Sequence, residues 1–280
     1  MGTYAVTGSA SGMGHAAAQR LRADGHRVIG IDLRDAEVIA DLSTAQGRSQ
    51  AAAAVLELAD GRLDGAVMAA GVGPLPDRDA VRLILSVNYF GVVDLLQSWR
   101  PAFEACGNAK VVVVGSNSSS TMPMVPVSAV RALLRDDLDR AVKTLHRYRP
   151  VAPSLTYGAS KIAVSRWVRR TAVLADWAGA GIRLNAIAPG AIRTPLLEKQ
   201  LASPREAKAV QSFPVPVGGF GNPDHLAEWM VFMLSDAAEF LCGSVIFVDG
   251  GSDAYFRAAD WPRRVPTSRL PHYALRYLRR

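Results

Sequence analysis

Short apolar runs separated by helix-like stretches recur along this chain. Thr3-Tyr4-Ala5-Val6-Thr7 is β-rich and ends in glycines, and His15 to Ala23 follows with alanine and leucine at helical spacing. Arg27 to Ile31 reads as a second strand; Val67 to Ala70, Lys110 to Val114, Arg183 to Ile187 and Val245 to Val248 repeat the theme with helix-like segments between them. Continuously apolar strands alternating with helices predict an α/β fold, a doubly wound parallel sheet covered on both faces. Two segments leave this rhythm. From Ala129 to Tyr148 the residues Val130, Leu134, Leu138, Ala141 and Leu145 share one helical face, which predicts an amphipathic helix inside an insert of about residues 120–152. After Gly251, aromatic residues (Tyr255, Phe256, Trp261, Tyr273, Tyr277) interleave with arginines and prolines, and the pattern assigns no element. The expected layout is one domain over 1–252 and a basic extension over 253–280.

The glycines give the first strand a chemistry. Thr7-Gly8-Ser9-Ala10-Ser11-Gly12-Met13-Gly14 lies between a strand and a helix, where backbone N–H groups and the helix dipole favour a pyrophosphate. The spacing is G-x-x-x-G-x-G, and a plain glycine turn is the competing reading. Asp32 ends the second strand 18 residues after Gly14, where a carboxylate accepts both ribose hydroxyls and repels a 2′-phosphate, favouring NAD over NADP. Nearby Arg34 weakens that preference. Asp41-Leu42 is expected to flank the adenine, and Ala69-Ala70-Gly71 to end the next strand on the cofactor side. These features make the domain Rossmann-type.

Tyr157 and Lys161 are four residues apart, so a helix puts phenol and ammonium on one face. For proton exchange near neutral pH the phenol must titrate roughly two units below about 10, which an ammonium and a nicotinamide cation favour. Ser116 follows the strand Val111 to Val114 at its carboxyl end and is placed to donate to a substrate oxygen. Asn88 is placed to hold a water linking Lys161 to solvent. Singly, each also fits a polar residue satisfying local backbone; together, in this order, they read as a catalytic set.

Composition narrows the picture. Over 280 residues, 49% hydrophobic content is ample for one large core. The N-terminus lacks a basic-then-apolar leader and no long uninterrupted apolar stretch occurs, so a cytoplasmic protein without stable membrane insertion is expected. Cys106 and Cys242 have no metal-ligand spacing, so neither zinc nor a disulfide is expected. The net charge is +7, but residues 252–280 hold seven arginines against Asp253 and Asp260, leaving the body near neutral. A basic groove for nucleic acid is therefore not expected.

With these motifs in place, the chain resembles the short-chain dehydrogenase/reductase family from Thr3 to about Ser252. The carriers are T-G-x-x-x-G-x-G at Thr7 to Gly14, Asn88, Ser116, Tyr157 with Lys161, and Pro189-Gly190-Ala191-Ile192-Arg193-Thr194. The resemblance implies catalytic roles for Asn88, Ser116, Tyr157 and Lys161. It implies NAD(H) contacts at Gly8, Ser11, Gly12, Met13, Gly14, Asp32, Asp41, Leu42, Ala70 and Gly71, at Tyr157 and Lys161, and at Pro189, Gly190, Ile192 and Thr194 around the carboxamide. Gly30 to Ala45, Ser86 to Gly91 and Arg183 to Ala191 are similar to the bacterial 3α-hydroxysteroid dehydrogenase/carbonyl reductase branch, as is the wide spacing between Ser116 and Tyr157. Coniferyl-alcohol dehydrogenases are similar too. Met68-Ala69-Ala70-Gly71 departs from the family's Asn-Asn-Ala-Gly, and Gly115 from its usual serine. The implied activity is interconversion of a hydrophobic ring-bearing alcohol and its ketone, with a coniferyl-type alcohol or a non-catalytic NAD-binding role as the competing readings. The insert is expected to wall the substrate or to cover structure, and to leave a homodimer.

Overall fold

The computed structural model describes residues 1–75, 80–261 and 266–278. Seven parallel strands form one sheet in the order β3-β2-β1-β4-β5-β6-β7. They are β1 (Thr3–Thr7), β2 (Arg27–Asp32), β3 (Val38–Ile39), β4 (Gly65–Met68), β5 (Lys110–Val114), β6 (Arg183–Pro189) and β7 (Val245–Val248). The helices are α1 (Gly12–Ala23), α2 (Ala45–Leu58), α3 (Ala80–Leu85), α4 (Gly91–Cys106), α5 (Ser118–Thr121), α6 (Val127–Leu133), α7 (Leu138–Leu145), α8 (Ala152–Thr171), α9 (Pro195–Leu201), α10 (Pro204–Gln211), α11 (Pro223–Leu234), α12 (Ser252–Arg257) and α13 (Leu270–Leu278). The chain is a single Rossmann-like α/β domain, as the alternation of strands and helices predicts.

The central strands are apolar because both faces are covered: all five residues of β5 are buried, as are all four of β4. One core packs α2, α4 and α8 on one face around Trp99, Phe103 and Val164. The other packs α1 and α11 on the opposite face around Leu21 and Met230. From Ala80 to Cys106 the helical run is long and apolar enough to cross a membrane, yet it is mostly buried as the central helix of the first core. The strand order reverses between β1 and β4, so their carboxyl ends flank a crevice where ligands of open α/β sheets collect.

Three expectations need correction. The third predicted strand, Val67 to Ala70, is shifted: β4 ends at Met68, because Thr7 Oγ1 accepts from the Ala70 N–H at 3.1 Å and turns the chain away. The two-residue strand β3 was missed because it is too short to show a period. The insert is two helices rather than one. Asp136 adopts a left-handed φ of 59°, and Asp137 caps α7 by accepting from Arg140 N at 3.0 Å, so the run breaks at residues 134–137. α6 packs on α7 and α8, and α7 on α3.

Beyond β7 the chain forms α12 directly, then α13, every described side chain of which is exposed from Leu270 to Leu275. Arg263, Arg264, Arg279 and Arg280 lie outside the described residues.

Candidate active site

The loop from Thr7 to Gly14 is shaped by close approach. Gly8 has φ of +72°, and a Cβ there would lie 2.8 Å from Ala70 N; a Cβ on Gly14 would lie 2.3 Å from the Gly8 carbonyl oxygen. Only glycine lets α1 start so close to β1, aiming its first N–H groups into the crevice. A cleft of about 330 Å³ opens there, lined by Gly8, Ser11, Gly12 and Met13, with Asp32, Asp41 and Leu42 along one flank and Ala70 and Gly71 along the other. Asp32 Oδ2 accepts from Ala10 N at 3.0 Å and Oδ1 from Leu33 N at 2.7 Å, which fixes the carboxylate at the end of β2. Arg34 points away, 83% exposed and facing Asp35. Across the cleft, Thr194 caps α9 and reaches the glycine loop: a Cβ on Gly12 would lie 3.3 Å from Thr194 Cγ2. A glycine cradle with a carboxylate at the far end fits a dinucleotide.

A second cavity, of about 460 Å³, meets this cleft at Met13, Thr194 and Leu196. Ser116 and Tyr157 stand in its wall beside Pro189, Gly190 and Ile192, with Met122 and Pro123 next to the helix that carries Tyr157, and its far wall is formed by Leu197, Val210 and Phe213 of the chain after β6. Ser116 stands beside the Tyr157 phenol in this wall, and its Oγ accepts from Ser118 N at 3.1 Å. Burial pushes the phenol above its ordinary value near 10, and the Ser116 hydroxyl opposes this. Burial is the larger of these two effects, so the lowered phenol that proton exchange near neutral pH requires is left to the ammonium together with a nicotinamide cation.

Lys161 lies behind this wall. Its Nζ donates to the Val114 carbonyl at 2.9 Å and is 5.8 Å from the Tyr157 ring centroid, and burial lowers it to about 8. Asn88 sits in a π-helical turn, Ser86–Phe90, between α3 and α4. Its side chain clamps the Val72 backbone, accepting from N at 2.8 Å and donating to O at 2.9 Å, and donates to Ser160 Oγ at 3.3 Å. Ser160 in turn donates to the Tyr157 carbonyl at 2.7 Å. A Cβ on Gly71 would lie 3.4 Å from Asn88 Oδ1 and 3.9 Å from Lys161 Nζ, so the two groups border one point. All four sequence-predicted catalytic residues therefore converge.

The model of the family described as short chain dehydrogenase matches residues 3–129, and that described as Enoyl-(Acyl carrier protein) reductase matches 141–253. A 3-alpha-hydroxysteroid dehydrogenase/carbonyl reductase of Comamonas testosteroni is 38% identical over 92% of this chain and 98% of its own. The chain belongs to the short-chain dehydrogenase/reductase family. It is an oxidoreductase. A crystal structure of the 3-alpha-hydroxysteroid dehydrogenase from Pseudomonas sp. B-0831, complexed with NADH, superposes on this dehydrogenase with a TM-score of 0.86 and 43% identity, covering 92% of this chain and 100% of that one. Similarity extends to a galactitol 2-dehydrogenase (L-tagatose-forming) of Cereibacter sphaeroides, 29% identical over 88% of this chain and 93% of the relative.

In this dehydrogenase the sequence missed the residues that close the two cavities. Val72, Leu83 and Val87 line the cofactor cleft, and Thr121, Gln200 and Phe213 the second cavity. Val72 follows the Gly71 motif directly, a signal that was present; Phe213 lies far from every motif. Among the described residues the insert reaches the cavity only through Thr121, Met122 and Pro123, while α6 and α7 cover α8 and α3.

Proposed function

We propose that this dehydrogenase interconverts a hydrophobic, ring-bearing secondary alcohol and its ketone with NAD(H), a 3α-hydroxysteroid and its 3-ketosteroid being the leading pair. The observation that carries the reading is the junction of the two cavities. A dinucleotide-shaped cleft opens at Thr194 and Leu196 into an apolar cavity in whose wall two hydroxyls, Ser116 and Tyr157, stand together. Asp32 favours NAD over NADP, and the NADH held by the Pseudomonas relative supports the same choice. The apolar far wall suits rings better than polyols.

The residues divide the work as follows. Bound nicotinamide supplies or accepts the hydride. In ketone reduction Tyr157 donates its proton to the carbonyl oxygen, and Ser116 Oγ hydrogen-bonds to that oxygen and holds it. The Lys161 ammonium stabilises the phenolate left behind. Asn88, through Val72 and Ser160, holds the cofactor-side loop against the helix that carries Tyr157. Oxidation reverses these steps. The decisive experiment is an NAD-reduction screen over steroid, aryl, terpene and sugar alcohols, with Tyr157→Phe as control. Ring-bearing alcohols are expected to give the highest kcat/KM, and a preference for polyols overturns the substrate class. The Tyr157→Phe variant is expected to lose at least about a hundredfold in turnover while binding NADH unchanged; retained turnover overturns the site.

A homodimer is proposed as the assembly. α11 exposes Trp229 and Phe232, edge to face at 6.3 Å, and Ile246 and Val248 of the edge strand β7 are only half-buried against the same core. Light scattering is expected to give twice 29.9 kDa; a monomer or tetramer contradicts it. Both cysteines are free thiols, donating to Asp64 and to the Ala172 carbonyl, which supports the cytoplasm as the compartment.

A further inference from the structure

We propose that Phe256, which lies outside the substrate cavity, determines its depth by holding Phe213 in place. The inference rests on the assignment of that cavity to the substrate. Phe213 closes the cavity just beyond α10, whose Ala209 and Val210 line the same wall. The Phe256 ring lies 5.5 Å from that of Phe213, tilted by 42°, and Tyr255 closes on Phe256 edge-on at 5.4 Å. Phe256 is 47% exposed, so one side of a large aromatic faces solvent while the other supports the cavity wall.

The short helix α12 is built to hold that contact. Ser252 and Phe256 are four residues apart and share a face. Ser252, fully buried, donates to the Pro214 carbonyl at 2.7 Å, next to the residue whose ring Phe256 meets. The helix start is fixed by Asp249, whose carboxylate accepts from Gly251 N at 3.0 Å and Asp253 N at 2.7 Å. The 213–217 segment is tied back by Val217 N donating to the Gly250 carbonyl at 3.1 Å. On its other side α12 packs on α5, which carries Ser118 and Thr121 of the cavity wall beside Ser116. One six-residue helix therefore joins the catalytic wall to the far wall, and Phe256 is its contact with the far wall.

If Phe256 acts through Phe213, removing either ring deepens the same space. The test measures kcat/KM with NADH for the largest and smallest ring ketones that the wild-type enzyme reduces, in Phe213→Ala, Phe256→Ala and the double variant. Each single change is expected to raise the large-to-small ratio about three- to tenfold, the range an aromatic pair contact spans. The double variant is expected to match Phe213→Ala alone, because the two residues form one path. NADH affinity stays unchanged. The proposal is overturned if Phe256→Ala leaves the ratio within twofold of wild type while Phe213→Ala shifts it, or if the two effects multiply. An unchanged ratio in all three variants instead removes the cavity from the substrate. Phe256→Leu, which keeps an apolar contact but no ring, is expected to shift the ratio in the same sense by less, and it serves where the alanine variant melts early.

Discussion

Lys161 is a buried cation whose ammonium donates to the Val114 carbonyl, and desolvation brings it down from 10.5 to about 8. Two consequences follow for pH. kcat/KM for NADH reports groups of the free enzyme, so ketone reduction is expected to decline above about pH 8 as Lys161 loses its charge while Tyr157 stays protonated. A profile flat to pH 9.5 contradicts this. Between about pH 8 and 10.5 the unfolded chain binds the Lys161 proton and the folded chain does not, so this residue makes stability rise with pH across that window. Denaturant titrations are expected to show that Lys161→Met lacks that rise, by up to about 3 kcal/mol. The residue identities at this site are legible in the sequence, because Tyr-x-x-x-Lys on a helix and a serine after a buried strand fix types and spacing. The protonation states are not, because desolvation depends on which distant elements cover the phenol. Asn88 shows the same limit. Its place in the chain announces a polar group near Lys161, but its grip on the Val72 backbone belongs to a loop sixteen residues earlier.

Gly14 connects a motif to an element. A methyl there meets the Gly8 carbonyl at 2.3 Å and the Thr7 carbonyl at 2.9 Å, both backbone atoms that move only if α1 withdraws from β1. Overpacking of this kind costs about 1–3 kcal/mol. Gly14→Ala is therefore expected to weaken NADH binding by about five- to a hundredfold, measured by quenching of protein fluorescence, with Asp32 still in place. Binding within twofold of wild type contradicts the cradle. The strands and the glycine-loop helix were readable because burial on both faces forces apolar runs and because the turn admits no other residue. The insert was misread for a physical reason. Val130, Leu134, Leu138 and Ala141 keep helical spacing straight through Arg135-Asp136-Asp137, so periodicity alone joins two helices that Asp136 breaks and Asp137 restarts. The π turn at Ser86–Phe90 was invisible for a related reason: an added residue in a buried helix leaves its apolar character intact.

At the scale of the whole molecule, packing and charge place the boundary between body and extension at different residues. The arginine excess after Gly251 suggests that the domain ends near 252. Yet Ser252 is fully buried, bonded to Pro214 and Asp249, and Phe256 rests on Phe213. Beyond Arg257 the exposure changes: Trp261 is 70% exposed, and Leu270, Tyr273 and Leu275 are each more than half exposed. We place the end of the folded unit after Arg257, and the two boundaries predict different truncations. Deleting 258–280 removes six arginines and Asp260, leaving a near-neutral body. Since the described side chains beyond Arg257 are all exposed, this truncation is expected to keep its melting temperature within about 2 °C of wild type, less than the shift from 1 kcal/mol in a domain of this size. Its kcat and KM should be unchanged. Deleting 252–280 in addition removes the buried serine and the support of the cavity wall, a loss of about 2–4 kcal/mol, and is expected to lower the melting temperature by at least about 5 °C. Scanning calorimetry on the two truncations, with ketone reduction assayed at saturating NADH, separates the boundaries. If the shorter deletion already loses stability or turnover, the exposed helix α13 contributes to the folded enzyme and the boundary after Arg257 is wrong.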